Sequence, residues 1–478
     1  MFKVYISMKK LNFKVMREKM DNKTKIKIKT FELFNIKNVE RGKFHTNVDF
    51  DNFNKANITG FYGQNGSGKT AIVSAFKILE TLIDSESLKV VEKNLINTNS
   101  DNLGFDITFK IELTNREQFF LKYKVKIGDN EGYYVKEEVL EYRENLKGKK
   151  FKKLISANLE SLTIRNESIK VMSEALRIKS LVSFELSKKE RKSFIFNEEL
   201  KPVLKEKLND REFQLFLSIG EDFRQGLHII ENIDYGLMMA NILIPFNIYQ
   251  DELKGTVALR ETLYSNDSSV SRRDPFAISK ELYKLLKDKV FPSINVVLPN
   301  IIPGLTIDIV QTAEVYRDDG EKGVNYQLLS IRNGNKMPLS SESEGIIKIV
   351  SMLSVLSAIF KETNACVVID ELDSGIFEYL LGELLKVAEE SAKGQLVFTS
   401  HNLRVIELIS IKSIWFTTTN PRNRYIQLKY TSNTSNNRDV YIRALQIKNQ
   451  DEELYEKTDN FKIKKAFKKL AFQGKDYE

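Results

Sequence analysis

Cysteine and tryptophan each occur once in 478 residues, proline eight times and histidine three times. The lone Cys366 cannot build an internal disulfide framework, so a reducing, cytoplasmic setting is expected. His45, His228 and His401 are too few for an H-N-H nuclease site. No apolar run reaches the roughly 18 residues that suggest a membrane span. The longest, Ile346 to Phe360, is interrupted by Lys348 and three serines, so no membrane partner is expected. The N-terminus alternates lysine with apolar residues and lacks the apolar centre of a secretory signal. Internal repeats are absent, and no sustained heptads announce a coiled-coil arm.

What is present describes a folded chain. Hydrophobic residues make up 42% and charged residues 29%, which excludes disorder over most of the length. The length suggests two or three compact units. Residues 1–19 carry six basic side chains against one acid, and residues 460–478 six lysines against two acids. These ends hold the whole net charge of +9, leaving a neutral body between them. Solvated tails in a Lys- and Asn-rich composition account for this. Contact with DNA, RNA or an acidic partner is the competing reading. Regular patterning begins just after Met20, which makes Met20 as well as Met1 a candidate start.

Lys25 to Thr46 alternates apolar and polar residues and predicts one or two strands. Asn57–Tyr62 predicts a short strand entering a glycine-rich loop. Ile72, Phe76, Leu79 and Ile83 then follow at helical spacing. Residues 104–143 predict an antiparallel meander. Residues 151–290 read as mainly helical, with a loop over 266–274. Strands are predicted at Leu305–Val310 and Tyr326–Ile331, and an apolar helix over Ile346–Phe360. Ala365–Ile369 and Gln395–Thr399 are continuous apolar runs of the kind buried parallel strands use. Ile414–Phe416 and Tyr425–Leu428 predict a hairpin around Asn420-Pro421.

Four segments carry chemistry. Gly63 to Thr70, GQNGSGKT, matches G-x-x-x-x-G-K-S/T between a predicted strand and a predicted helix. Gly63, Gly66 and Gly68 permit backbone N–H groups to surround a polyphosphate, and the helix adds its dipole. Lys69 supplies a cation to the β and γ phosphates, and the Thr70 hydroxyl suits magnesium. A glycine turn that binds nothing is the plain alternative. In CVVIDELDSG, Asp370 and Glu371 end an apolar strand, where paired carboxylates call for a cation. Asp370 would hold magnesium and Glu371 would act as general base. An ordinary helix cap is the plain alternative. His401 follows the next buried strand, where it could sense the γ-phosphate or simply end a strand. Ser343 and Gly345, in LSSESEGIIKI, open the apolar helix as an anion site or as a cap.

The order of these segments resembles the ABC-type ATPase heads of the RecF, SMC and OLD families. It is closer still to the prokaryotic AAA family ATP-binding proteins of the OLD-like group. FNIKNV, ESEGIIKI, VVIDELDSGIFEYLLGELL, QLVFTSHNLRVIEL and IKSIWFTTTNPRNRYI carry the likeness, over residues 25–150 and 290–440. The resemblance implies an α/β fold, with a mixed sheet, an antiparallel meander and a mainly helical insertion. Residues 20–150 and 290–445 would be the two lobes of the head, 151–289 the insertion, and 1–19 and 446–478 basic end segments.

The resemblance also implies a magnesium-dependent ATPase. Gly63, Gln64, Asn65, Gly66, Ser67, Gly68, Lys69 and Thr70 would form the phosphate loop. Asp370 would be the magnesium-side carboxylate, Glu371 the catalytic base and His401 the switch residue. Ser343, with Gly345, would reach the nucleotide of an opposite copy in a homodimer or higher homo-oligomer. Asn35 and Lys37 would lie near the bound nucleotide. Two departures stand out. Phe377 occupies a position that is often acidic or histidine, which bears on cross-subunit contacts of Asp373 and Ser374. A magnesium-side glutamine has only weak candidates in Gln118 and Gln250. OLD nucleases carry a Toprim domain after the head, yet no D-x-D pattern follows His401 here. Any nuclease or toxin activity is therefore expected in a separate effector. A defence-type ATPase is the first reading. A RecF- or SMC-type ATPase that binds DNA itself and a nucleotide switch with negligible turnover compete with it.

Overall fold

The computed structural model describes residues 23–230, 277–316, 320–428, 438, 441–442, 452–455 and 458–473. The basic extension over 1–19, the loop over 266–274 and Gln250 lie outside them.

Strands β1 (Lys25–Ile36) and β2 (Val39–His45) form a hairpin, and β3 (Asn57–Tyr62) leads into helix α1 (Lys69–Ile83). The meander follows as β4 (Asn102–Glu112), β5 (Gln118–Asp129) and β6 (Tyr133–Glu144). Residues expected within the helical insertion instead prolong it as β7 (Lys152–Asn158), β8 (Leu162–Ile164) and β9 (Glu167–Ser168). The result is an eight-stranded antiparallel sheet in the order β2-β1-β4-β5-β6-β7-β8-β9. The lysines and short turns of 151–168 blur the period-two pattern, so pairing with β6 decides the conformation. Helices α2 (Glu174–Glu190), α3 (Lys201–Lys207) and α4 (Asp210–Leu217) agree with the helical expectation. Glu138 fixes the segment after α2 to the meander. Its buried carboxylate accepts from Ser193 Oγ (2.6 Å) and the Phe194 amide (2.7 Å).

β10 (Leu227–Ile230) comes next, then β11 (Ile278–Ser279) and helix α5 (Phe291–Ile301). A small antiparallel sheet holds β11 with β12 (Leu305–Tyr316), β13 (Lys322–Arg332) and β14 (Asn335–Pro338). It leads to the apolar helix α6 (Glu344–Lys361) and strand β15 (Cys366–Ile369). Helix α7 (Glu378–Ser391), strand β16 (Gln395–Ser400) and helix α8 (Leu403–Leu408) follow. The hairpin of β17 (Ile414–Thr417) and β18 (Tyr425–Ile426) and the separate helix α9 (Asn460–Gln473) complete the order. α9 presents Phe461, Phe467 and Leu470 to solvent.

The central sheet runs β10-β15-β16-β3-β17-β18 and is parallel from β10 to β17. Its strands read as unbroken apolar runs because both faces are covered. Cys366, Val368 and Val397 point into the core shared with α1 and the meander. Their neighbours Val367, Ile369, Leu396 and Phe398 point into the core of α5, α6 and α7. Alternation along each strand thus puts a hydrophobic layer on either side.

Buried polar groups stitch β1 to this sheet. The Gln395 amide accepts from the Ile28 N–H (2.7 Å) and donates to the Ile28 carbonyl (3.0 Å). Lys27 is fully buried, and its Nζ donates to the carbonyls of Lys55 (2.8 Å) and Lys393 (2.5 Å). Burial pushes its pKa down to about 7. A neutral amine still has two protons, enough for both carbonyls. Between that value and the ordinary 10.5 the unfolded chain binds the extra proton, so stability rises with pH across this window. Below it both states are protonated and the slope vanishes. Denaturant unfolding from pH 7 to 9 is expected to show a gain of up to about 1.4 kcal/mol per pH unit over Lys27→Met. Superimposable pH profiles for the two proteins would exclude a neutral buried Lys27.

Candidate functional site

Three adjacent parallel strands end at the residues singled out by sequence. β3 runs out at Tyr62 into Gly63, β15 at Ile369 into Asp370, and β16 at Ser400 into His401. The register pairs Ser400 with Tyr62 and Ile369 with Phe398, so all three ends lie along one edge of the sheet. Ligands of open α/β sheets bind at this carboxyl edge.

The phosphate loop is tightly built. A Cβ on Gly63 would lie 1.6 Å from Thr417 Oγ1, so no larger residue fits there. Gly68 caps α1 at φ +91°, in the left-handed region, and a Cβ would meet Val39 Cγ2 at 2.7 Å. Thr417 Oγ1 donates to Ser67 Oγ (2.6 Å), and the Tyr425 hydroxyl donates to the Gly68 carbonyl (2.8 Å). The β17–β18 hairpin therefore clamps the loop from behind, a task the sequence did not assign to Thr417 or Tyr425. Ser67 and Lys69 are buried, whereas Asn65, Gly66 and Thr70 are exposed.

Lys69 Nζ donates to the carbonyls of Gly63 (2.9 Å) and Gln64 (3.0 Å), folding back over the loop. Burial pushes its pKa down to about 8, against the opposing charges of Asp370, Asp373 and Glu371. An anion on the loop would raise it again.

Asp370 is nearly buried, and Thr399 Oγ1 donates to its Oδ1. The same hydroxyl accepts the Glu371 amide proton (2.8 Å). Glu371 has φ +46°, a left-handed conformation that costs a non-glycine residue about 1–2 kcal/mol and swings its carboxylate to the exposed side. Asp373 Oδ2 accepts the His401 amide (3.0 Å), while its buried Oδ1 has no hydrogen-bond partner. Burial, and then the Lys69 charge, hold His401 below the usual histidine pKa, against Asp373, Glu371 and Asp370. The conspicuous unused signal in the sequence was Thr399, two residues before His401; Asp373, named there only for cross-subunit contacts, also holds the His401 amide.

The remaining expected residues are placed as follows. Ser343 caps α6 by accepting the Ile346 amide (3.4 Å). Gly345 abuts the loop after Glu371, where a Cβ would meet the Gly375 carbonyl at 2.2 Å. Asn35, near the end of β1, and Lys37, in the β1–β2 turn, have left-handed backbones but face the segment 92–100. Asn35 Nδ2 donates to Ser100 Oγ (3.0 Å) and Lys37 Nζ pairs with Glu92 (3.4 Å). The turn reaches the phosphate loop through Asn38 instead, whose amide donates to the Gly66 carbonyl. A hydrogen-bonded turn of this kind hides which of its polar residues points inward. Gln118 begins β5 beside Glu112 and Asn145, within the antiparallel sheet. Phe377 is exposed and stacks obliquely near Tyr379, ring centroids 5.6 Å apart.

Among the described residues no helix is long and apolar enough to cross a membrane. No curated protein matches the sequence. Among solved structures, the chain is similar to an Smc head bound to the C-winged helix domain of ScpA. That match has 11% identity and TM-score 0.40, covering 84% of this chain and 97% of that one. It is also similar to the SMC head domain from Thermotoga maritima, at 15% identity and TM-score 0.34, covering 84% and 100%. A Pyrococcus furiosus Smc head with an extended coiled coil, bound to the C-terminal domain of ScpA, gives 10% identity and TM-score 0.36, covering 84% and 96%. A family model described as "AAA domain, putative AbiEii toxin, Type IV TA system" matches residues 58–407, from the strand before the phosphate loop to the helix after His401. With that match over most of its length, the chain belongs to this AAA-domain family.

Proposed function

We propose that the chain binds ATP with magnesium at Gly63–Thr70, hydrolyses the β–γ bond, and closes its sites by pairing two copies. The convergence of Gly63–Thr70, Asp370–Glu371 and His401 on one sheet edge carries this reading. The exposed Thr70 hydroxyl and the Asp370 carboxylate are oxygen donors of the type magnesium takes, and the unpartnered Asp373 Oδ1 leaves acceptor capacity beside them. Bound there, magnesium supplies neutralisation of the charge on the β and γ oxygens.

The chain's own groups orient the substrate and move the proton. Loop N–H groups and the N-terminus of α1 seat the polyphosphate. Lys69 exchanges its two carbonyl partners for phosphate oxygens. Glu371, exposed and aimed by its left-handed backbone, accepts the proton of the attacking water. His401 donates to the γ-phosphate through a ring N–H. Ser343 and Gly345 serve the nucleotide of the opposing copy, because a phosphate loop alone leaves one side of the nucleotide open to water. Two copies related by a two-fold axis close both sites at once.

The family's description includes a putative toxin of a type IV toxin–antitoxin system. That supports a role in defence, in which the ATP state of this chain governs a separate effector.

Mixing inactive variants tests the shared site. Lys69→Ala and Ser343→Arg should each be inactive alone. A mixed dimer has one site with both defects and one with neither, so free exchange should restore about a quarter of wild-type turnover. No recovery, together with no ATP-dependent change in mass by light scattering, would rule out the shared site and leave a lone switch.

A further inference from the structure

Helix α6 and the loop after β15 are joined at two points. The first is the contact of Gly345 with the Gly375 carbonyl. The second lies one turn on, at Lys348. This lysine is buried on an otherwise apolar stretch between Ile347 and Ile349, and its Nζ donates to the carbonyl oxygen of Glu371 at 2.5 Å. Burying an ammonium is costly unless it is paired. Here the Glu371 carbonyl and the charges of Asp373, Glu371 and Asp370 compensate it, although burial still holds its pKa below the lysine norm. An apolar side chain would fill the same space without that cost, so packing alone does not account for a lysine.

The amide side of Glu371 is held as well. Its N–H donates to Thr399 Oγ1 (2.8 Å) and Asp370 Oδ1 (3.2 Å). A residue at φ +46° relaxes unless its surroundings over-determine it. Thr399 and Asp370 grip its nitrogen, Lys348 grips its oxygen, and the carboxylate direction follows from both.

We propose that Lys348 is a positioning residue that fixes the backbone of Glu371 and makes the start of α6 and the catalytic base move as one unit. The inference rests on the reading of Glu371 as base. It adds the route by which that base is armed. Ser343 begins the helix that carries Lys348, so whatever engages Ser343 shifts α6, and Lys348 transmits the shift to the Glu371 peptide. The two-point connection through Gly345 and Lys348 leaves little slack between them.

The test compares Lys348→Met, Lys348→Arg, Glu371→Gln and the double variant Lys348→Met/Glu371→Gln in the full chain. A fluorescent ATP analogue reports affinity and single-turnover phosphate release reports chemistry. Lys348→Met should bind the nucleotide within about threefold of wild type yet hydrolyse about 10- to 100-fold more slowly, the cost of a misaimed group. Lys348→Arg should recover part of the rate. In the Glu371→Gln background, Lys348→Met should change the residual rate less than about twofold, since its effect runs through the group already removed. Wild-type turnover by Lys348→Met beside an inactive Glu371→Gln would sink the positioning role and leave the base in place. Wild-type turnover by Glu371→Gln itself would remove the base, and this inference with it. Loss of affinity together with rate, persisting in the double variant, would reduce Lys348 to a structural residue and overturn the proposal. If Lys348→Met does not fold, Lys348→Gln, which keeps a donor, is judged by the same outcomes.

Discussion

Lys69→Ala is expected to abolish tight ATP binding, with Kd rising at least about a hundredfold. Lys69 is the cation of the phosphate loop, and its ammonium already rests on the Gly63 and Gln64 carbonyls at the mouth of the loop. Each charge-assisted hydrogen bond to a phosphate oxygen is worth about 1.5–3 kcal/mol, so losing two accounts for that factor. Folding should survive. The freed carbonyls lie in a loop whose tip, at Asn65 and Gly66, is open to water, and the clamp by Thr417 and Tyr425 does not involve the lysine. Titration with a fluorescent nucleotide, alongside a thermal melt, checks both parts. Binding within twofold of wild type would mean that Gly63–Thr70 does not cradle a polyphosphate in this chain. The same variant tests the defence role in cells. Wild-type chain expressed with its neighbouring genes should change growth or phage yield, and Lys69→Ala should not. Equal phenotypes would detach the nucleotide cycle from defence.

Glu371→Gln is expected to lower turnover by about 10²–10⁴ while keeping or tightening ATP affinity. Removing a positioned general base has a cost of that size. The amide preserves the shape of the side chain, and the backbone grip by Thr399 Oγ1 and Asp370 on the Glu371 nitrogen is untouched. Loss of a negative charge beside Asp370 and Asp373 also reduces repulsion of the γ-phosphate. Stalled hydrolysis should therefore accumulate the ATP-bound closed state. With ATP and magnesium, light scattering should show a shift toward dimer, or a tighter existing one, that ADP does not produce. Hydrolysis at the wild-type rate would remove Glu371 from its role. Stalled hydrolysis without a change in mass or shape would keep the base but separate chemistry from assembly.

The local elements and the chemistry at their ends were legible in the residues. GQNGSGKT between a strand and a helix, and CVVI and QLVFTS as unbroken apolar runs, follow from rules that need only neighbours in sequence: glycine freedom, helical spacing, and two-sided burial. That is why Gly63–Thr70, Asp370, Glu371 and His401 could be named before their geometry was known. Tertiary structure decided what depends on distant partners. Residues 152–168 became strands because β6 offered an edge to pair with, against a pattern blurred by lysines. Leu227–Ile230 joined the central sheet because β15 lay open beside it. Asn38 rather than Asn35 or Lys37 reached the phosphate loop, since a tight turn can direct any one of its polar residues inward. Lys348 looked like an interruption in an apolar helix, and only the packing of α6 on the loop after β15 gave its ammonium the Glu371 carbonyl as a partner. Sequence determines which groups stand at a strand or helix end, because backbone sterics and burial act locally. Which of those groups meet is settled by hydrogen bonds and packing between segments tens to hundreds of residues apart.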